Sequence, residues 1–128
     1  MTPETREHLE KAREYLVKAR GLLDVLHYHD EAGRAAYLAG FHAAQALISE
    51  RTGKVAKTHE GVNRQFNLLT KGDPRVDTEL RRFLPQSYNL KALADYEAGP
   101  SSSIPVERVE AAMAVAMRFV GCVEMLLR

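Results

Sequence analysis

Three side chains near residue 90 have the types and spacing of a polar site. Lys91 and Asp95 are four residues apart, and Tyr96 follows directly. Residues four apart are neighbours on a helix, so a cation, a carboxylate and a phenol would lie nearly on one face. Such a group can bind a phosphate, but Lys91 and Asp95 can also form a weak surface salt bridge while Tyr96 packs at the helix end. Both interpretations remain open at this point.

A second pair of candidates lies in the stretch VAKTHEG, residues 55–61. Thr58 has the side chain of a helix N-cap, which places His59 at the start of a helix and Lys57 just before it. Free N–H groups at a helix start, a lysine and a histidine could together hold a phosphate. The alternative is that Thr58 only caps the helix and His59 packs over the turn.

The other histidines give weaker signals. His42 lies beside the apolar stripe of AAYLAGFHAAQALI and is predicted to be buried or interfacial with a polar partner. His8 is predicted on the exposed side of the first helix. His27 and His29 occupy the turn HYHDEAG, which lacks the fuller ligand set of structural metal sites and is better explained as a polar turn. We therefore predict no metal and no cofactor.

Composition limits the function classes further. The 128 residues are 45% hydrophobic and 27% charged, with a formal net charge of +1, so no overall field indicates a nucleic-acid or membrane partner. Cys122 is the only cysteine and cannot form an intramolecular disulfide. No apolar stretch approaches the length of a membrane span, and no signal sequence, glycine-rich phosphate loop or serine nucleophile elbow occurs. We expect a soluble, cytoplasmic protein.

Helical patterns must position these residues. Apolar side chains recur at spacings of three and four in five segments, and no strand pattern of comparable length occurs. The predicted helices start near Thr2, Asp30, Thr58, Pro74 and Pro105. The first pattern runs from Leu9 to Leu26, and together with the long pattern at the other chain end it predicts shallow antiparallel packing. The sequence therefore predicts an all-α fold, an up-and-down bundle of four to five helices in one domain, residues 1–128.

Some boundaries carry their own signals. Gly53 is a plausible end of the second helix, expected to run from about Asp30 to Arg51. Pro85 must kink or break the fourth helix unless local geometry absorbs the lost hydrogen bond. The segment GPSSS, residues 99–103, is a loop by composition.

Three ordered motifs carry a family resemblance. The motifs, in chain order, are AAYLAGFHAAQALISERTG, then KTHEGV followed by Phe66, then ADYEAG before a last amphipathic helix. Together they resemble the HEPN family, in particular its small stand-alone prokaryotic branch associated with minimal nucleotidyltransferases. The resemblance implies a bundle of four or five helices, usually a homodimer, with a polar cleft where two subunits meet. Many members are metal-independent RNases, and others are partners in toxin and antitoxin modules.

The family's RNase motif is an arginine, four to six residues, then a histidine, commonly followed by a tyrosine. At the aligned position this chain has Lys91 and Asp95, followed by Tyr96. Lysine contacts phosphate as a point charge, and an ordinary aspartate with a pKa of about 3.9 is a poor proton shuttle at neutral pH. The one literal match, Arg20 to His27, lies in the first helix, away from the motif position.

These observations predict a homodimeric HEPN-domain protein that binds a nucleotide, RNA or a minimal nucleotidyltransferase partner within a toxin-antitoxin type module. The candidate binding residues are Lys57, His59, Lys91, Asp95 and Tyr96.

Two alternatives remain. In a divergent RNase toxin, His59 or His42 would replace the missing histidine while Lys91 or Arg51 holds phosphate. In a structural interaction domain there would be no ligand.

Overall fold

A computed structural model describes residues 1–96 and 104–128, and these ranges contain five helices and no strand. The bounds are α1 Pro3–Asp24, α2 His29–Thr52, α3 His59–Leu69, α4 Thr78–Tyr96 and α5 Val106–Leu126. The predicted all-α bundle is confirmed. The predicted loop at residues 99–103 lies outside the described residues.

Local capping chemistry explains the helix starts that the sequence predicted. The Thr2 hydroxyl accepts a hydrogen bond from the Thr5 N–H at 3.0 Å, and the Thr58 hydroxyl accepts one from the Gly61 N–H at 2.9 Å. Each bond satisfies a backbone donor that a helix start leaves unpaired. At its other end α2 stops at Gly53, whose φ of 70° lies in the left-handed region that glycine tolerates.

The predicted start of α4 at Pro74 is wrong. The Asp73 carboxylate accepts a hydrogen bond from the Arg75 N–H at 2.9 Å, which holds a turn at this point. Asp77 then caps the helix by accepting from the Leu80 N–H at 2.9 Å, so α4 begins at Thr78.

Pro85 neither ends nor interrupts α4, which runs through it to Tyr96. The missing proline N–H removes one helical hydrogen bond. Burial of the flanking Phe83 and Leu84 against the core holds the two halves of the helix in place.

Helix α2 is the centre of the bundle and packs against each of the other four helices. Its many small residues allow close approach. A Cβ added at Gly40 would lie 2.2 Å from Cε2 of Phe83, so the phenyl ring of α4 fits only against a residue without a side chain. A Cβ added at Gly33 would lie 3.6 Å from Leu90 and 3.7 Å from Val109, at ordinary van der Waals distances, so this contact does not require a glycine.

The predicted apolar seam of α1 holds over most of its length. Leu9, Ala12, Ala19 and Leu23 are buried. Leu26 was expected to continue the seam but is exposed, because α1 ends at Asp24 before reaching it. Among the residues that the structure describes, no helix is long and apolar enough to span a membrane.

Candidate functional site

The polar residues of α4 form a three-membered ion cluster with α2. The Lys91 ammonium lies 2.5 Å from Asp95 Oδ2, which confirms the predicted contact between residues four apart. Asp95 Oδ1 also accepts a hydrogen bond from Arg34 Nε at 3.1 Å. Arg34 was missed by the sequence analysis because its contact depends on how α2 packs against α4.

The two cations hold Asp95 in its charged form. The hydrogen bond from Lys91, with a smaller contribution from Arg34, lowers the pKa of the Asp95 carboxyl below its ordinary value. Asp95 is therefore ionised at neutral pH and can only accept hydrogen bonds. An ionised aspartate with a lowered pKa is a poor proton shuttle at neutral pH.

His59 joins the start of α3 to α2 and α4. Because Thr58 caps α3, the imidazole of His59 lies against the bundle, where Nδ1 is 2.8 Å from the Tyr37 hydroxyl. The ring also stacks on Tyr88, with centroids 4.0 Å apart and planes 13° apart. Burial lowers the pKa of His59, so the imidazole is neutral at pH 7.

Tyr88 connects the imidazole to the ion cluster. The Lys91 ammonium lies 5.9 Å from the centroid of the Tyr88 ring, at the distance of a cation–π contact. His59, Lys91 and Asp95, three of the five candidates, are thus brought together through an aromatic ring. We refer to the following six residues as the α4 cluster: Arg34, Tyr37, His59, Tyr88, Lys91 and Asp95.

Lys57 and Tyr96 lie differently. Lys57 lines a groove with Thr58 and Arg64, and His59 is not among the residues that line this groove. Tyr96 is 92% exposed, so it does not pack at the helix end as the salt-bridge alternative supposed. The buried face of the last turn of α4 is filled by Ala94 instead.

A second histidine cluster joins α1 to α2. Nδ1 of His8 lies 3.1 Å from Nδ1 of His42, so His8 is not on the exposed side as predicted, and His42 has the polar partner that was expected. The His42 ring stacks with Tyr15, with centroids 5.6 Å apart. Burial, reinforced by His8 and Lys11, lowers the pKa of His42 to about 4.

The other arginines considered for an RNase motif have structural partners. Arg20 pairs with Asp24 at 3.5 Å, and Arg51 donates a hydrogen bond to the Leu126 carbonyl at 3.2 Å. Arg51 therefore ties the end of α2 to the end of α5. Within residues 1–96 and 104–128, no group of three or more His, Cys, Asp or Glu side chains is arranged to hold a metal ion.

Comparison with known proteins agrees with this fold. The HEPN domain family model matches residues 5–126. Over 88 residues the chain is 35% identical to "Putative toxin MJ0605" from Methanocaldococcus jannaschii. These 88 residues cover 69% of this chain and 64% of that relative. The chain therefore matches less than two thirds of that protein's length.

A solved structure resembles the bundle over almost its whole length. The crystal structure of TT1696 from Thermus thermophilus is 25% identical, with a TM-score of 0.75 over 97% of this chain and 98% of that one. The likeness extends to all five helices and not only to the motif-bearing α2 and α4. Because the family model also spans nearly the whole sequence, this chain belongs to the HEPN domain family.

Proposed function

We propose that residues 1–128 act as one HEPN domain that binds RNA without cleaving it, as a homodimeric component of a toxin-antitoxin type module with a minimal nucleotidyltransferase as partner. The toxin name of the M. jannaschii relative supports a module of this type. The proposal assigns RNA binding to the α4 cluster, with the exposed ring of Tyr96 beside it.

The observation that carries the proposal is the state of Asp95. At the position of the motif histidine, a carboxylate is held ionised between Lys91 and Arg34. The two cations outnumber the one carboxylate, so the cluster keeps a positive field that attracts phosphate. Because the same contacts keep Asp95 ionised, its carboxylate has no proton to donate at neutral pH, which favours RNA binding over RNA cleavage.

Aromatic side chains around the cations suit a single-stranded ligand. Unpaired bases stack on tyrosine and histidine rings, and lysine contributes attraction to the backbone. Tyr96 offers an open ring, whereas the face of Tyr88 is covered by His59. We therefore propose that Tyr96 stacks a base while Lys91 approaches a phosphate.

Fluorescence anisotropy with a labelled oligouridylate of about 12 nucleotides tests this assignment. Substitutions Lys91→Ala and Tyr96→Ala should each weaken binding about five- to tenfold, corresponding to roughly 1 to 1.4 kcal/mol. The control Lys71→Ala removes an exposed cation at the far end of α3 and should leave affinity within about twofold. Undiminished binding in both site variants would refute the α4 cluster as the RNA site.

One observation favours a second candidate, a metal-independent RNase. The Tyr37 hydroxyl orients His59 through Nδ1 and leaves Nε2 without a hydrogen bond to any described residue. A neutral, oriented imidazole is what a general base requires. Incubating RNA with the protein and a chelator decides between the two, since cleavage that His59→Ala abolishes would replace the binding-only proposal.

The assembly is tested separately. Light scattering after size exclusion should give twice the chain mass of 14.3 kDa. Copurification from the native host, with mass spectrometry of bound protein, should recover a nucleotidyltransferase. A monomer at micromolar concentration would contradict the homodimer.

A further inference from the structure

A basic groove lies where the chain passes from α2 into α3. It has a volume of about 500 Å³ and is lined by three cationic side chains, Lys54, Lys57 and Arg64, with Thr52 and Gln65 between them. No carboxylate contributes to its lining. The groove therefore concentrates charge of one sign in a chain whose formal net charge is only +1.

The three cations are not used by the fold. Among residues 1–96 and 104–128, the side-chain nitrogens of Lys54, Lys57 and Arg64 form no ion pair and no hydrogen bond. Some other arginines are paired, as Arg13 is with Glu124 at 2.9 Å and Arg75 with Asp73 at 2.8 Å. Unpaired cations that share a concave surface can together bind an anion.

The groove is built on a loop that a buried side chain holds in place. Gln45 is 3% exposed; its Nε2 donates to the Ala56 carbonyl at 2.6 Å, and its Oε1 accepts from the Ala56 N–H at 3.3 Å. The Lys54 N–H also donates to the Thr52 hydroxyl at 3.1 Å. Because the loop is already held in one conformation, less conformational entropy is lost when its lysines bind a ligand.

We propose that the basic groove holds consecutive phosphates of a single-stranded RNA whose next nucleotides reach the α4 cluster. The two surfaces meet at adjacent residues, because Thr58 lines the groove and His59 belongs to the α4 cluster. Three cations around an open groove can each contact a different phosphate of one extended ligand. This inference rests on the proposed RNA binding and adds a second, sequence-independent part to that site.

Salt dependence of binding tests the groove directly. Each phosphate contact to a single strand contributes about 0.7 to the slope of log K against log salt. The triple variant Lys54→Gln, Lys57→Gln, Arg64→Gln should lower that slope by about 2 and weaken binding to the oligouridylate at least about tenfold at low salt. The matched control is Lys18→Gln, Lys71→Gln, Arg82→Gln, which removes two lysines and one arginine elsewhere and should lower the slope by less than about 0.7.

The outcomes separate this inference from the proposed function. If the triple variant keeps the wild-type slope while Lys91→Ala weakens binding, the groove assignment fails and the α4 cluster stands. If the wild-type chain binds no RNA, both fail. Binding of ATP, but not RNA, that depends on the three cations would assign the groove to a nucleotide and overturn the RNA inference. Circular dichroism of each variant checks that it is folded.

Discussion

Two partly buried imidazoles in this bundle have opposite electrostatic neighbours. Burial lowers the pKa of both His42 and His59. Around His42 the charges reinforce burial, since His8 and Lys11 lower the pKa further, to about 4. Around His59 they oppose burial, because the Glu60 carboxylate raises the pKa. Burial keeps both rings neutral at pH 7, and the neighbouring charges shift the two pKa values in opposite directions.

The same two rings also differ in what they connect. His42 stacks with Tyr15 and bonds to His8, so its contacts join α1 to α2. His59 stacks on Tyr88, which the Lys91 ammonium approaches, so its contacts lead to the ion cluster of α4. We infer that His42 serves the fold and His59 serves the ligand site, and each of the following predictions tests this division.

The largest expected effect is a loss of stability in acid that depends on His42. Its pKa is 6.5 when unfolded and about 4 when folded, so between these values the unfolded chain binds more protons. Stability is therefore full above about pH 6.5 and falls as the pH decreases towards 4. Allowing for partial solvent exposure, we expect about 2 kcal/mol to be lost. Urea denaturation at about pH 7.5 and pH 4.5 measures the difference.

The variant His42→Phe keeps a ring at this position but cannot be protonated. Its stability at neutral pH can shift because His8 loses a partner. The unfolding free energy that this variant loses between the two pH values should nevertheless be smaller than the wild-type loss by about 2 kcal/mol. A loss as large as that of the wild type would show that His42 does not carry the acid sensitivity.

The next largest effect is on RNA binding and should be confined to the other histidine. His59→Ala removes the ring stacked on Tyr88. We expect about tenfold weaker binding of the oligouridylate at pH 7.5, equivalent to about 1.4 kcal/mol. His42→Phe is the control and should change affinity by less than about twofold, since its contacts lie between α1 and α2. Equal losses in both variants would abolish the division of roles.

Sequence reasoning predicted the local contacts and missed the distant ones. The Thr58 cap and the Lys91–Asp95 pair depend on residues three or four apart, whose positions a helix fixes by itself. The bond between Arg34 and Asp95 joins residues 61 apart and depends on how α4 packs against α2. The stacking of His59 on Tyr88 likewise required the packing of α3 and α4 on α2, which no local pattern specifies.

A smaller effect distinguishes Tyr37 from Tyr15, two of the tyrosines that contact these imidazoles. Tyr37→Phe removes a buried hydroxyl hydrogen-bonded to His59 and should cost about 1 kcal/mol of unfolding free energy. Tyr15→Phe is the matched control, because Tyr15 contacts His42 through its ring face. The control should change stability by less than about 0.5 kcal/mol. Equal effects in urea denaturation would mean that the Tyr37 hydroxyl contributes nothing specific.

The smallest effect tests the opposing charges themselves. Glu60 raises the pKa of His59, so Glu60→Gln should lower that pKa. Imidazole chemical shifts followed by NMR between about pH 3 and pH 8 report both rings in one sample, and the His42 titration should not move. In the wild type His59 should titrate above His42, because burial lowers both pKa values, His8 and Lys11 lower the pKa of His42 further, and the Glu60 carboxylate raises that of His59. An unchanged His59 titration in Glu60→Gln would show that burial, and not the sign of the adjacent charge, sets the pKa of His59.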